Sequence, residues 1–176
     1  MLVEENTIKS TLSYNDDKSK RYSLNIEWDN TKKHLCIIML SAGQSNGIHN
    51  DKTTNLVIKN VCTLEYGSVE IVNLFSYVDG TKEDKKDKDN LSVIDISAKR
   101  ADIVIFAVGT GYKTNKKIAK RQSEVLAILK RYDKKLYCIS DNDGNKFYHP
   151  LCPKVNEWNL TKFDVEELTR KGYEDD

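Results

Sequence analysis

The chain is 176 residues long, with 39% hydrophobic and 31% charged residues and a formal net charge of +1. That length suits one globular domain burying about two-thirds of its unfolded surface, and so even a charge balance rules out attraction by overall charge as the basis for a nucleic-acid, membrane or acidic partner. No apolar run approaches the roughly 18 residues that a membrane-spanning helix needs, and residues 1–10 hold no apolar core of a secretory signal, so a cytoplasmic protein with no membrane partner is expected.

Residues 1–20 are polar and read as a frayed lead-in to an α/β domain over residues 21–155. Tyr22, Leu24, Ile26 and Trp28 alternate with polar residues, the period of a half-buried strand. Residues 34–40 (HLCIIML) are a nearly uniform apolar run and suit a strand covered on both faces. After a glycine-containing polar loop over residues 41–51, Val57, Val61 and Leu64 recur at helical spacing, with Asp51 or Thr53 able to cap the start and Gly67 the end. Residues 69–75 (VEIVNLF) predict a second buried strand. Residues 81–90 carry four lysines and four acids and no apolar side chain, which predicts a solvated loop. Further predictions are a short helix over residues 91–100, a strand over 102–108, a loop over 109–112, a longer helix over 114–132 and a strand over 135–140. Residues 156–176 read as a peripheral helix with an acidic tail. Alternating strands and helices imply an α/β fold in three αβα layers around a mostly parallel sheet.

In such sheets ligands bind beyond the carboxyl ends of the strands, where residues 41–51, 73–80 and 109–112 should gather, joined by His149. Asn73 follows an apolar run, so its amide must find partners in a dry setting; it either reads the edge of a ligand or ties down the adjacent loop. His149 precedes Pro150 and is held extended. Its imidazole either serves as acid, base or donor to a developing anion, or makes one structural hydrogen bond in a turn. Ser41, Gly43, Gln44 and Ser45 offer hydroxyls and backbone N–H groups that can cradle an anion. Gly109 and Tyr112 flank a loop that either approaches a phosphate and stacks on a ring or simply turns the chain from strand to helix. Residues 113–131 are rich in lysine and arginine against a single glutamate, giving either a contact to nucleic-acid phosphates or a solvated helix face. Cys152 lies three residues after His149, but that spacing alone does not place a base against a thiol. Cys36, Cys62, Cys138 and Cys152 form no CxxC pair, and His34 and His49 have no metal-ligand spacing, so neither a metal nor a cofactor is expected.

Three stretches, residues 37–46 (IIMLSAGQSN), 66–77 (YGSVEIVNLFSY) and 135–153 (KLYCISDNDGNKFYHPLCP), together resemble the bacterial family of domain of unknown function 1643. Asn73, Leu74, Phe75 and Tyr77 match its N-L-F-x-Y pattern, and His149, Pro150 and Leu151 its H-P-L. The resemblance adds Phe75 and Tyr77 to the candidate ligand-binding residues. It departs at Ser41-Ala42-Gly43, where the family shows N-P-S, at Asp51-Lys52-Thr53 in place of D-P-T, and at Asn55 and Leu56 in place of arginines. More distantly, the order of features is similar to the uracil-DNA glycosylase superfamily. That likeness implies a glycosylase-like fold in which Asn73 reads a base edge, His149 stabilises charge on the leaving base, and Gln44 in the first loop takes the place of the residue that positions water.

The expected function is therefore recognition of a nucleobase, nucleotide or nucleic acid, with glycosylase-like hydrolysis if the site is active. Loss of the N-P-S and arginine positions favours instead a non-enzymatic binder of a nucleotide-like ligand. A third possibility is a protein-interaction module that uses residues 81–90 and 113–131 and takes no small ligand.

Overall fold

The computed structural model describes residues 1–80, 87–166 and 168, leaving aside the side chain of Tyr112. Within them the chain runs β1 (Lys9–Tyr14), β2 (Arg21–Glu27), β3 (His34–Ser41), α1 (Lys52–Thr63), β4 (Ser68–Phe75), α2 (Lys88–Arg100), β5 (Ile103–Phe106), α3 (Lys116–Leu129), β6 (Leu136–Ser140) and β7 (Asn159–Lys162). These strands make one sheet in the order β1-β2-β4-β3-β5-β6-β7. The fold is α/β, but the sheet is mixed rather than mostly parallel. β4, β3, β5 and β6 are parallel neighbours, while β1 with β2, β2 with β4 and β6 with β7 pair antiparallel. The reason lies in the connections: parallel neighbours need a crossover, which α1, α2 and α3 supply, whereas the short turn between β1 and β2 returns the chain antiparallel.

Strand β3 explains the two-sided core. Its alternate residues Leu35, Ile37 and Met39 meet Val57 and Val61 of α1, while Cys36 and Ile38 meet Ile94 and Ala98 of α2 and Val125, Leu126 and Leu129 of α3. The uniform apolar run read in the sequence is a strand buried on both faces. Burial of Cys36 pushes its thiol far up, so it behaves as a small hydrophobe.

The termini differ from expectation. Within the supposed lead-in, residues 9–14 pair with β2 as an edge strand, held by backbone hydrogen bonds and one inward Leu12, a signal too slight to read from hydrophobicity. Residues 159–162 form β7 where a helix was expected, with Trp158 and Phe163 anchoring its two ends in the two cores. Of the expected charged loop, residues 81–86 lie outside the described residues. Asp87 caps α2 through Asn90 N–H, and residues 88–90 form its first turn.

One buried charge joins α2 to the sheet. Glu70, 3% exposed in β4, accepts from Nη2 of Arg100 on both carboxylate oxygens at 2.9 and 2.7 Å, and His34 Nε2 stands 3.8 Å away. Burial alone raises its pKa, but hydrogen bonding to His34 and Arg100 and the charge of Arg100 outweigh it and hold the carboxyl below its usual range. A depressed carboxylate contributes stability above its unfolded pKa and loses it as pH falls through the folded value. Arg100→Ala is therefore expected to cost about 1–2 kcal/mol at neutral pH, discounted for the exposure of Arg100. Urea titrations of both proteins should show the gap closing as pH drops below the ordinary carboxylate range; an equal gap at all pH values would contradict this role.

Candidate functional site

Because β4, β3, β5 and β6 are parallel, their carboxyl ends share one edge. From β3 the chain passes to α1 on one face, and from its neighbour β5 to α3 on the other. Loops that diverge from adjacent strands leave a crevice between them, where ligands of open α/β sheets bind. The segments 41–51, 73–80 and 109–112 all leave this edge, and His149 returns to it.

The floor of this edge is Asn73, opposite Met39 in register and 1% exposed. Its Nδ2 donates to the Ser41 carbonyl at 2.9 Å. A carbonyl only accepts, so the bond fixes which way the amide points. Among the described residues Oδ1 then has no hydrogen-bond partner, and neither does the buried Ser41 hydroxyl. Behind Asn73, Asn90 Nδ2 donates to the carbonyls of Asn73 and Leu74 at 3.0 and 3.2 Å. A buried acceptor without a donor carries its full desolvation cost, about 1–3 kcal/mol.

Across β3 from Asn73, Gly109 follows β5 and lies against His149. Gly109 has φ +75°, and a Cβ there would lie 3.2 Å from the His149 Cβ, so the two segments touch through the missing side chain. His149 Nδ1 accepts from Leu151 N–H at 3.2 Å, which puts the proton of the neutral ring on Nε2. Burial holds its pKa below the ordinary imidazole value, so at pH 7 the ring is a neutral donor. The turn before it is stiff: Asp141 accepts from Asn145 and from the Tyr148 hydroxyl at 2.7 Å, which takes Asp141 down to about 2 and Tyr148 up to about 12. Cys152 meets His149 through a backbone bond, N–H to carbonyl.

The first loop is held differently from expectation. Ser45 is buried, not an open anion cradle. Its hydroxyl accepts from Asp51 N–H and the Thr54 hydroxyl, both at 2.9 Å, while Asp51 caps α1 through Thr54 N–H at 2.8 Å. Gly43 lies close to Asp51: a Cβ there would sit 2.7 Å from Asp51 Oδ2, which would have to shift. Gln44 turns outward and donates to the Val78 carbonyl at 3.2 Å. Phe75 packs into the core on the α2 and α3 side. Tyr77 lies beneath the Lys20 ammonium, 4.9 Å from its ring centre. The side chain of Tyr112 lies outside the described part of the chain. The structure thus joins Asn73 to Ser41, Gly109 to His149, and Gly43 and Ser45 to Asp51, but turns Gln44, Phe75 and Tyr77 to other neighbours.

Arg21 escapes the sequence reading. Ser13 faces Ser23 while Tyr14 faces Arg21, and this skipped residue reverses the alternation of β2. Arg21 therefore reaches the first loop, where Nη1 donates to the carbonyls of Gly43 and Ser45 at 3.1 and 2.7 Å. It is 2% exposed, burial pulls its pKa down, and no ion pair engages it among the described residues.

Gly109→Ala is expected to lose about 1–3 kcal/mol in chemical denaturation, from the positive φ and the crowded Cβ. It should also raise the His149 titration, followed by NMR, toward the ordinary imidazole range; an unchanged titration would mean that Gly109 does not set the burial of that ring.

Among the described residues no helix is long and apolar enough to cross a membrane. No curated protein matches the chain. Residues 21–151 match the model of a family described as a protein of unknown function, DUF1643, which is well over half of the chain and spans β2, the first loop, Asn73 and His149. The protein is a member of the DUF1643 family.

Proposed function

We propose that the edge formed by Ser41, Asn73, Gly109 and His149 recognises a nucleobase, in a fold related to that of the uracil-DNA glycosylases. The observation that carries the reading is the Asn73 amide, oriented by a backbone carbonyl and left with a buried acceptor that lacks a donor. A ligand N–H supplies that donor. His149 offers the complementary group, an Nε2–H on a ring kept neutral by burial. An acceptor and a donor at one edge suit a cyclic amide, with its neighbouring N–H and C=O, as in a keto base. Placement of α1 on one sheet face and α2 and α3 on the other supports the three-layer arrangement that this relationship requires.

In a glycosylase-like reaction water attacks the sugar carbon, the bond to the base breaks, the base leaves with the electron pair, and the proton lost by the water balances the one the base takes up from solvent. The Nε2–H of His149 then stabilises charge developing on the base, as preorganised donors do in dry sites. The position of Gln44 favours a second reading: its amide donates to Val78 rather than serving a water, which suits a binder that holds the base without cleaving it.

A thermal-shift screen against nucleobases, nucleosides, nucleotides and short oligonucleotides tests the reading. Ligand near 100 times its Kd should stabilise the protein by about 2.7 kcal/mol. The shift should vanish in Asn73→Ala and His149→Ala, each judged against its own unliganded melting temperature. Absence of a shift with every compound would refute base recognition, and a base-release assay on any oligonucleotide that binds separates hydrolase from binder.

A further inference from the structure

Every described arginine but one meets an acid: Arg100 pairs with Glu70, Arg121 with Glu124 and Arg131 with Asp95. The exception is Arg21, which is also the most deeply buried, at 2% exposed. A lysine in such a place could shed its proton, but a guanidinium keeps its charge at neutral pH. Set against carbonyls alone, that charge lacks the counter-ion that would offset its desolvation.

The bonds Arg21 makes show which edge of the guanidinium is left. Nη1, the nitrogen on the Cδ side, has two N–H groups, and both are engaged by the carbonyls of Gly43 and Ser45 at 3.1 and 2.7 Å. Nε and Nη2 form the other edge. Nε is sealed from solvent without a hydrogen-bond partner. Nη2 has no partner among the described residues either, but it is not sealed. Two parallel N–H groups in one plane match the two oxygens of a carboxylate or phosphate side by side. Asp51, whose charge reaches Arg21, does not fill this edge. Its Oδ1 accepts from Thr54 N–H at 2.8 Å as the cap of α1, and it makes no hydrogen bond to Arg21. At the start of the same loop the Ser41 hydroxyl is buried and also unpartnered, a further donor for an anion.

We propose that the free Nε and Nη2 edge of Arg21 binds a small oxyanion, a carboxylate or a phosphate, beside the first loop. The bound anion is the counter-ion that the chain itself does not supply. With so little of Arg21 exposed, the site takes a small anion or a projecting terminal group rather than a broad surface. It does not depend on the base-recognising reading, whose acceptor and donor are Asn73 and His149.

NMR titration of the protein with sodium phosphate and with sodium formate, each compared with sodium chloride at matched ionic strength, tests the site at the atom concerned. The Arg21 Nε–H resonance, assigned through its own side chain, should move saturably with phosphate or formate and stay in place with chloride. The anion that saturates it identifies the source. R21K keeps the positive charge but lacks the fork. Followed by thermal shift, it should need a concentration of that anion roughly tenfold higher or more for half-saturation. An Nε–H resonance that neither anion moves, or that chloride moves equally, would overturn the proposal, and this holds even if R21K does not fold. Unchanged anion affinity in a folded R21K would overturn it as well. Nucleoside binding lost in Asn73→Ala decides the base reading separately.

Discussion

Strand β3 is paired on both sides by parallel strands and faced on both sides by apolar cores. A strand so enclosed has no solvent face, and the chain can leave it only beyond its carboxyl end. There the order of the sheet forces a divergence: β3 must lead to a helix on one face while its neighbour β5 leads to a helix on the other. Polar residues of the first loop, Asn73 at the end of β4 and Gly109 after β5 therefore collect at one edge for reasons of connectivity alone.

What holds that edge is mostly hydrogen bonding to backbone carbonyls. Arg21 fixes the first loop through Gly43 and Ser45, Asn90 and Arg121 hold the carbonyls at the end of β4, and Asn73 spans from β4 to Ser41. In a low-dielectric setting such bonds are strong when complete, and any group they omit stands out. The Asn73 Oδ1 is such a group. The buried Ser41 hydroxyl likewise has no partner among the described residues, and in the proposed reading a ligand N–H supplies the donor that Asn73 Oδ1 lacks.

The central strands were legible in the sequence because burial on both faces leaves an apolar run that nothing else explains, as in residues 34–40. The positions of Asn73 and Gly109 followed from the end of such a run and from a glycine at a strand's exit. Other features left no such trace. β1 depends on backbone pairing to β2 rather than on its own side chains, and β7 is short and mostly polar. Arg21 looked outward by parity, and only a skipped residue between β1 and β2 turned it inward. Ser45 and Gln44 resembled an open polar loop, because a sequence does not tell a hydroxyl facing water from one receiving two internal bonds. The basic stretch of α3 read as uniform, yet one arginine is a buried strut while three lysines face solvent.

The most direct test of the account is calorimetric binding of two ligands that differ by one methyl group, a keto base and the same base methylated on its ring amide nitrogen. Methylation removes the N–H that Asn73 Oδ1 is held to receive and leaves the carbonyls for His149. The account predicts clear loss of affinity on methylation in the parent protein and little difference between the two ligands in Asn73→Ala. Equal binding of both by the parent protein would contradict it.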